Sequence, residues 1–507
     1  MLRQTVSSAR IFFAVAGLTL AFRCWLAAAL PITGDEAYFI WWGKVPDWGF
    51  YDHPPLIGWV LAALLAVSDA EWWLRLPQVV QPLLLALAAR WSWPRLFPAQ
   101  ADRRDWVALL ILLAPVNVWN VFVTTDTALV YCAVLSGLAW LHAAREDSTR
   151  WYLVAGIFLA GAVLAKYFAA LLGFAYLVDA LRRRTRGAWL GLAIAYACTV
   201  PALGLMAWWN SGHCWANYMF NFVNRHGGDN AGLSWKTPLL YVVTLIYVLT
   251  PPALWLLLKR RRLASAEFAQ VDRSLAVLAA VPLLLFAALS LVKTVGLHWV
   301  LSFVPFALML AVRRLTPAAL PKLAAFFLGF AALHLAAIFA VSRLPLETWR
   351  SFSFYPGLVL TFESQALVAR AAPHDSLLVS DGYSNAVTLG YHLRRQVPVL
   401  GPGSGHARHD DILTDWRGHD GRDITVLRKT APAADEYARW FRNAATESFE
   451  HRGARFWVVR AQGFDYAAYR ATVLAEVRRR YYALPPWLPQ RGCYFCDRYF
   501  PGEACTR

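Results

Sequence analysis

The segment LAAFFLGFAALHLAAIFAVS, residues 323–342, contains no aspartate, glutamate, lysine or arginine. A helix of about 20 apolar residues is long enough to cross the hydrocarbon core of a membrane. The whole chain of 507 residues is 58% hydrophobic and 16% charged, whereas a soluble domain carries about 25% charged residues. Ten more apolar runs lie between clusters of charge: residues 11–30, 75–93, 105–122, 126–144, 151–165, 167–181, 187–209, 237–258, 274–292 and 300–312. The sequence therefore predicts a polytopic α-helical membrane protein with about eleven transmembrane helices, and it excludes an ordinary soluble enzyme.

The net charge of +17 would suggest a nucleic-acid ligand in a soluble protein, so the positions of the cations matter. Within residues 1–342, alternate loops hold most of the Lys and Arg residues: Arg3/Arg10, Arg95/Arg103/Arg104, Arg145/Arg150, Arg182–Arg184 with Arg186, Lys259–Arg262 and Arg313/Arg314/Lys322. Cytoplasmic loops of membrane proteins carry an excess of Lys and Arg. The alternation therefore predicts a cytoplasmic N-terminus and argues against nucleic acid as a partner.

Two segments are not assigned as spans. The run Leu56–Ser68 has 13 residues and follows two prolines. Counting it as a span would break the charge alternation, so we interpret it as an interfacial helix within a first periplasmic loop, residues 31–74. The first apolar stretch lacks a clear small-residue cleavage site, so a retained helix is expected rather than a cleaved signal peptide.

The composition changes after Ser342, where charged and apolar residues become mixed. Residues 1–342 are predicted to form the transmembrane domain and residues 343–507 a small periplasmic α/β domain. Its predicted strands are residues 376–380, 423–427 and 456–459, and its predicted helices are residues 433–442 and 466–481. Cys493, Cys496 and Cys505 lie near its end. A disulfide is expected in an oxidising compartment, because a zinc site would need two further ligands that the sequence does not offer.

The first outward loop contains the most informative residues of the chain. It begins Thr33-Gly34-Asp35-Glu36-Ala37-Tyr38 and continues to Gly49-Phe50-Tyr51-Asp52-His53-Pro54-Pro55. Adjacent carboxylates directly after a span are costly unless they are solvated or paired, and they indicate function. The alternative is a solvated acid pair with Asp35 as a helix N-cap. A further acid, Asp126 in Thr124-Thr125-Asp126-Thr127, is predicted on the same side of the membrane.

These motifs resemble the GT-C type polyprenyl-phosphate-dependent glycosyltransferases, in particular the RgtA/B/C/D-like and ArnT-like enzymes and the protein O-mannosyltransferases. The resemblance covers residues 10–340, with weaker support from Leu164-Ala165-Lys166-Tyr167, Trp209-Asn210 and His298-Trp299. It implies transfer of one sugar from a polyprenyl-phosphate donor to an acceptor at the periplasmic face. The sequence leaves the sugar open, and the acceptor is lipid A or lipopolysaccharide, another glycan or a protein.

The resemblance also implies roles for individual acids. Asp35 corresponds to the family's catalytic carboxylate, and a single displacement assisted by it would invert the anomeric centre. Glu36 either orients Asp35 or only solvates the loop. Asp126 matches the second acid of the family, which binds the acceptor or supports the first loop; capping of the following helix is its alternative.

The expected donor-phosphate and substrate-binding residues are Lys44, Tyr51, Asp52, His53, Lys166, Tyr167, Asn210, Lys293 and His298. For Lys166 and Lys293, phosphate contact competes with snorkelling to the interface. His53 departs from the ArnT-like pattern, in which a lysine precedes the two prolines. It either contacts the phosphate or fixes the loop against Asp52. Asp52 and His226 offer only two metal ligands, so no cofactor is expected, with a divalent cation as the alternative.

A lipid-linked sugar flippase or a secondary transporter is the second function that fits a polytopic chain. Transporters commonly contain internal repeats and polar breaks near the midplane of the membrane. Here no repeat is evident and the acids cluster at one face. The glycosyltransferase is therefore the favoured interpretation.

Overall fold

The computed structural model describes residues 2–224, 233–259, 269–372, 376–403, 408–503 and 505. The chain divides into two compact units. The first contains Met1–Leu30, Val67–Gly204 and Asn230–Ser342, and the second contains Pro31–Ala66, Leu205–Asp229 and Arg343–Arg507, each within the described residues. One boundary follows Ser342, and the second unit also includes Pro31–Ala66 and Leu205–Asp229.

The first unit is helical. Its helices are Leu2–Ala29, Glu71–Leu74, Leu76–Leu96, Arg104–Leu112, Pro115–Trp119, Thr125–Glu146, Thr149–Ala165, Ala169–Arg183, the greater part of Arg186–Gly212, Lys236–Leu249, Pro251–Leu258, Ala269–Ser290, Val304–Arg314 and Leu320–Ser342. All eleven apolar runs of the sequence contain helix. Two runs are broken by proline: Pro115 restarts the helix after Leu112, and Pro251 follows a 105° bend. Proline removes a main-chain donor and restricts the residue before it, so each break occurs where the sequence places proline.

Five helical stretches in the described residues are long and apolar enough to cross a membrane. They are Ser8–Ala29, Thr125–Glu146, Arg186–Gly212, Ala269–Ser290 and Pro317–Ser342. The bent pair Lys236–Leu249 and Pro251–Leu258 adds a sixth if it forms one span. The remaining apolar runs form shorter or less apolar helices, so length and composition establish fewer spans than the sequence predicts.

Arg23 is a buried cation in the first helix that the sequence analysis did not single out. Its side chain is 1% exposed. The guanidinium donates to the main-chain oxygens of Val79 at 2.9 Å and Asn120 at 2.8 Å, and also to those of Gln78 and Asn117. Carbonyls at the end of a helix lack partners within it. Arg23 therefore satisfies the end of the short helix Pro115–Trp119 and joins it to two longer helices.

The second unit contains a small four-stranded sheet. Its strands are β1 (Leu377–Val379), β2 (Ile424–Arg428), β3 (Phe441–His451) and β4 (Ala454–Phe464), in the order β1-β2-β4-β3. β1 and β2 are parallel, and β4 is antiparallel to both of its neighbours. Its helices are Gly34–Lys44, Leu56–Leu65, Ala216–Phe222, Tyr355–Phe362, Ser364–Ala371, Tyr383–Leu393, Asp410–Leu413 and Tyr494–Tyr499, with further helical turns across residues 466–482.

The three predicted strands and the helical segment after residue 466 are present. The predicted helix at residues 433–442 is wrong, because these residues form turns that lead into β3. β3 and β4 form a hairpin closed by Arg452 and Gly453, both with positive φ. Phe449 lies opposite Phe456 across the strands. Such cross-strand aromatic pairs stabilise a sheet, and they become visible only when the register is known.

Two disulfides join cysteines of the second unit, Cys214 with Cys493 and Cys496 with Cys505. The expectation of a disulfide near the end of the chain agrees with this pairing. No sequence motif marks Cys214, which precedes its partner by 279 residues. The free thiols are Cys24, Cys132 and Cys198.

Candidate active site

The helix that carries Asp35 begins with a capping box. Thr33 is the N-cap, and its Oγ1 accepts from the Glu36 amide at 3.3 Å. The Glu36 carboxylate in turn accepts from the amide and the hydroxyl of Thr33, both at 3.1 Å. The alternative of Asp35 as the N-cap is therefore wrong. Glu36 is buried and fixes the start of the helix, whereas the side chain of Asp35 is exposed in its first turn.

Asp35 differs from the other acids predicted in this site. It makes no hydrogen bond or ion pair with any residue that the structure describes, whereas Glu36, Asp52 and Asp126 are all bonded. A carboxylate in the first turn of a helix also lies in the favourable field of the helix dipole. Asp35 is therefore the one predicted acid in the described chain whose oxygens are available to a substrate.

Asp52 lies in a buried polar cluster of the second unit. Its carboxylate accepts from Tyr38 Oη at 3.2 Å and lies 3.5 Å from Arg408 Nη1. Asn221 donates to the main-chain oxygen of Asp52 at 2.8 Å. Burial raises the pKa of Asp52, and the Arg408 guanidinium opposes this shift. These contacts hold the Tyr51-Asp52-His53 segment in place.

His409 completes this cluster. Its main-chain amide donates to Tyr38 Oη at 3.1 Å, and its Nδ1 accepts from the Tyr51 amide at 3.4 Å. Burial lowers the pKa of His409 to about 3, so the ring is neutral and can accept this hydrogen bond. Sequence analysis missed Arg408 and His409. The available signal was the run Arg408-His409-Asp410-Asp411, where four ionisable residues follow a glycine-rich stretch.

Three further predicted substrate-binding residues of the second unit, Lys44, Tyr51 and His53, have other side-chain neighbours. Lys44 is exposed at the end of its helix, with Nζ 5.2 Å from the centre of the Trp41 ring. Tyr51 is buried, and its ring packs edge-on against Phe220. The His53 ring lies 6.2 Å from those of Phe39 and Trp42.

Asn210 is fully buried near the end of its helix. Its side-chain amide donates to the Met206 oxygen at 2.8 Å and accepts from the Tyr218 amide at 3.3 Å. The polar atoms of this predicted substrate-binding residue are thus engaged in local structure.

The first unit contains a second cluster, centred on Asp126. Thr124 caps the helix through a reciprocal capping box with Thr127, so the alternative of Asp126 as the N-cap is wrong. Instead the Asp126 carboxylate accepts from Lys166 Nζ at 2.9 Å and 2.8 Å. His298 Nε2 lies 3.8 Å from the same carboxylate. The structure thus brings together three residues that the sequence singled out separately.

The exposure of these groups differs. The Asp126 and Lys166 side chains are 9% and 11% exposed, whereas that of His298 is 52% exposed. Tyr167 follows Lys166 in the chain and is half-buried, as is Lys293 after the helix Ala269–Ser290. The cluster presents a paired ammonium and an exposed imidazole, which are groups suited to hydrogen bonding with phosphate.

Candidate metal ligands are limited in the part of the chain that the structure describes. The one close set of His, Cys, Asp or Glu side chains is Cys493, Cys496 and Cys505, and all three form disulfides. His226, considered with Asp52 as a metal ligand, lies outside the described residues.

Residues 52–209 match the family described as dolichyl-phosphate-mannose-protein mannosyltransferase. The lipid A galacturonosyltransferase RgtD of Rhizobium johnstonii is 29% identical over 209 residues, which are 39% of this chain and 43% of that protein. The alignment therefore spans less than half of the length of this relative.

Two solved structures share the fold. ArnT from Cupriavidus metallidurans bound to undecaprenyl phosphate is 15% identical, with a TM-score of 0.60 over 89% of this chain and 97% of that chain. Its apo state is 17% identical, with a TM-score of 0.63 over 90% and 98%. At this identity the likeness establishes the fold, a GT-C arrangement of membrane helices. In fold, in the matched segment and in the loop motifs, the chain is therefore similar to the GT-C glycosyltransferases ArnT and RgtD.

Proposed function

We propose that this protein transfers a single sugar from a polyprenyl-phosphate donor to a lipid A, lipopolysaccharide, other glycan or protein acceptor. The reaction takes place at the periplasmic face of a bacterial inner membrane. The proposed topology has about eleven spans, a cytoplasmic N-terminus and a periplasmic C-terminal domain, supported by the alternation of basic loops. RgtD is a lipid A galacturonosyltransferase, so galacturonic acid is the first sugar and lipid A the first acceptor to test.

The carboxylate of Asp35, which is exposed and pairs with no residue that the structure describes, is the observation that carries this proposal. In the proposed step an acceptor oxygen attacks the anomeric carbon of the sugar. The bond from that carbon to the polyprenyl phosphate breaks, and Asp35 takes the proton of the attacking hydroxyl. One displacement without a covalent intermediate inverts the anomeric centre.

The leaving phosphate gains negative charge as its bond to the sugar breaks. Lys166 and His298 are the proposed partners of this charge, with Lys44 and Lys293 as further cations. Asp126 fixes the Lys166 ammonium through two hydrogen bonds, which sets its position before the donor binds. Glu36 acts through the capping box as a positioning residue for Asp35.

The proposal is tested with purified protein in liposomes, undecaprenyl-phosphate-linked galacturonic acid and lipid A. Asp35→Asn is expected to lower the transfer rate by about 100-fold or more, since general-base catalysis contributes about 10²–10⁴-fold. Asp102→Asn, at an exposed aspartate outside the proposed site, is the matched control and keeps the wild-type rate.

A wild-type rate in Asp35→Asn would contradict the catalytic assignment. Movement of the lipid-linked sugar across the bilayer without any transfer would instead support a flippase. The anomeric configuration of the product, measured by NMR, tests inversion separately from the role of Asp35.

A further inference from the structure

A cavity of about 400 Å³ lies in the second unit at the carboxyl ends of β1 and β2. Asp381 follows β1, and Arg428 and Lys429 stand where β2 ends. Helix Tyr383–Leu393 begins on the rim. Ligands of α/β sheets bind in crevices beyond the carboxyl ends of parallel strands. The cavity has the position of a ligand site and lies outside the acids and cations assigned to transfer.

The two carboxylates of this cavity are already engaged by the protein. Asp381 lies 3.3 Å from Arg428 Nε and accepts from Asn385 Nδ2 at 3.1 Å. Glu436 accepts from Arg428 Nη1 at 2.9 Å and from the Ala433 amide at 2.9 Å. Arg428 is thus held between two acids. Both carboxylates are thus engaged by Arg428, and these three side chains together carry a net charge of −1.

Lys429 is the fourth charged side chain that lines the cavity, and it takes no part in the contacts of Arg428. It is half-buried, and it makes no hydrogen bond or ion pair with any residue that the structure describes. Its Nζ lies 3.6 Å from the position that a Cβ on Gly357 would take. Burial lowers the pKa of Lys429, with Asp381 partly opposing the shift. An ammonium withdrawn from water without a hydrogen-bond acceptor is costly, and an anionic ligand group would supply acceptor oxygens.

The cavity also adjoins the helix that carries Asp35. Ser384, which lines the cavity, has its Oγ 2.8 Å from the position that a Cβ on Gly34 would take. Thr388 Oγ1 lies 3.3 Å from the same position. The two helices therefore approach closely because residue 34 has no side chain. Ser384 therefore contacts both the cavity and the start of the helix that carries Asp35.

From this placement we infer that the cavity is a second saccharide site, which binds an acidic sugar unit of the acceptor through an ion pair between its oxyanion and Lys429. The oxyanion is a carboxylate or a phosphate on the sugar, and both have the acceptor oxygens that an ammonium needs. Asn385 and Ser384 lie where sugar hydroxyls would bind. The acceptor role rests on the proposed transfer function, whereas binding itself does not.

Calorimetric titration of the full-length protein in detergent tests the site. The probes are galacturonate, glucose 1-phosphate, neutral galactose and inorganic phosphate. At least one acidic sugar is expected to bind more tightly than galactose and than inorganic phosphate. Lys429→Gln is expected to weaken that binding about tenfold, since a charge-assisted hydrogen bond is lost. Lys322→Gln, the same change at an exposed lysine, leaves it unchanged.

The outcomes separate the two proposals. Asp35→Asn is expected to bind the acidic sugar like the wild type while it fails to transfer, so binding without transfer supports both assignments. Equal binding to wild type and Lys429→Gln, with the same unfolding temperature, overturns the site. Equal affinity for galactose overturns the ion pair, and equal affinity for inorganic phosphate overturns recognition of a sugar. Sugar binding in a wild-type protein without transfer activity would leave the site standing and overturn the proposed function.

Discussion

At the scale of single residues, Asp126 and Lys166 show how a buried charge pair is arranged. Both side chains are about nine-tenths buried, and two hydrogen bonds join them. Removing one partner of such a pair leaves the other charge uncompensated, which costs more than removing both. The pair is therefore expected to be strongly coupled.

A double-mutant cycle measures this coupling. Asp126→Ala and Lys166→Met are each expected to lower the free energy of unfolding by about 3 kcal/mol, and the double variant by clearly less than their sum. Unfolding in detergent is the measurement. The exposed pair Arg350–Glu450, at 3.0 Å, is the control, with an expected coupling below about 1 kcal/mol. Additive effects at Asp126 and Lys166 would contradict the pairing.

Two neighbouring carboxyls of the C-terminal region predict a pH dependence of stability. Burial raises the pKa of Asp410 to about 6 and that of Asp411 to about 7. Tyr482 Oη donates to Asp411 at 2.6 Å. Between about pH 4 and pH 7 the folded protein therefore binds more protons than the unfolded chain. The stabilisation from these groups is complete below about pH 4 and is lost as the pH rises through 6 to 7.

Thermal unfolding between pH 4 and pH 8 checks this expectation. Asp411→Asn cannot ionise, so its unfolding temperature should fall less with rising pH than that of the wild type. Asp435→Asn, at an exposed position, should retain the wild-type slope. A slope that Asp411→Asn leaves unchanged would show that another group is responsible.

At the scale of elements, helix Gly34–Lys44 is positioned by close contact with helix Leu56–Leu65. A Cβ on Gly43 would lie 2.7 Å from the Cβ of Leu61 and 2.9 Å from its carbonyl carbon. Main-chain atoms cannot move aside as a flexible side chain can. Any side chain at residue 43 therefore separates the two helices.

Gly43→Ala is accordingly expected to destabilise the protein by about 1–3 kcal/mol and to lower transfer, because the helix carrying Asp35 shifts. Gly329→Ala is the matched control. It also lies within a helix, but a Cβ there meets nothing within 4 Å, and alanine favours helix. Transfer rates and unfolding temperatures of both variants give the comparison. Equal stability of Gly43→Ala and wild type would mean that the helices are not in contact as described.

Secondary structure was predictable where it depends on local sequence. Each apolar run formed helix because its apolar residues and its prolines act over a few turns of chain. The predicted helix at residues 433–442 is wrong because residues 434–440 form turns and residues 441–442 belong to β3, which depends on pairing with β4. Pairing is a property of two segments, and helical periodicity in one of them does not reveal it.

At the scale of the whole molecule, the disulfide between Cys214 and Cys493 links two distant segments of the second unit. A cross-link of this kind restricts the unfolded chain, and its removal typically costs about 2–5 kcal/mol. The double variant Cys214→Ser/Cys493→Ser is expected to lose stability within that range. Cys24→Ser, at a free and exposed thiol, should lose little. Peptide mapping that joins Cys493 to Cys496 or Cys505 would contradict the pairing.

The candidate site was predictable in part from particular residues. Asp35, Asp126 and Lys166 stood out because charged side chains next to apolar runs are costly without a role, and His298 stood out through the family resemblance. The contacts between these residues could not be predicted, because nothing in the sequence indicates that Lys166 pairs with Asp126. Arg408 was not predicted as a site residue because it lies more than 350 residues along the chain from Asp52, which it contacts.

The sequence by itself determined that this chain is a membrane protein built from helices, and it marked the candidate site residues between 33 and 55. Both depend on contiguous sequence, since the free energy of transferring about 20 apolar residues into lipid does not depend on the rest of the fold. Only the tertiary structure decided which charges pair, which acid stays exposed, and where the cavity beside Lys429 forms. Those features depend on contacts between distant segments, because burial and hydrogen bonding are set by packing in three dimensions.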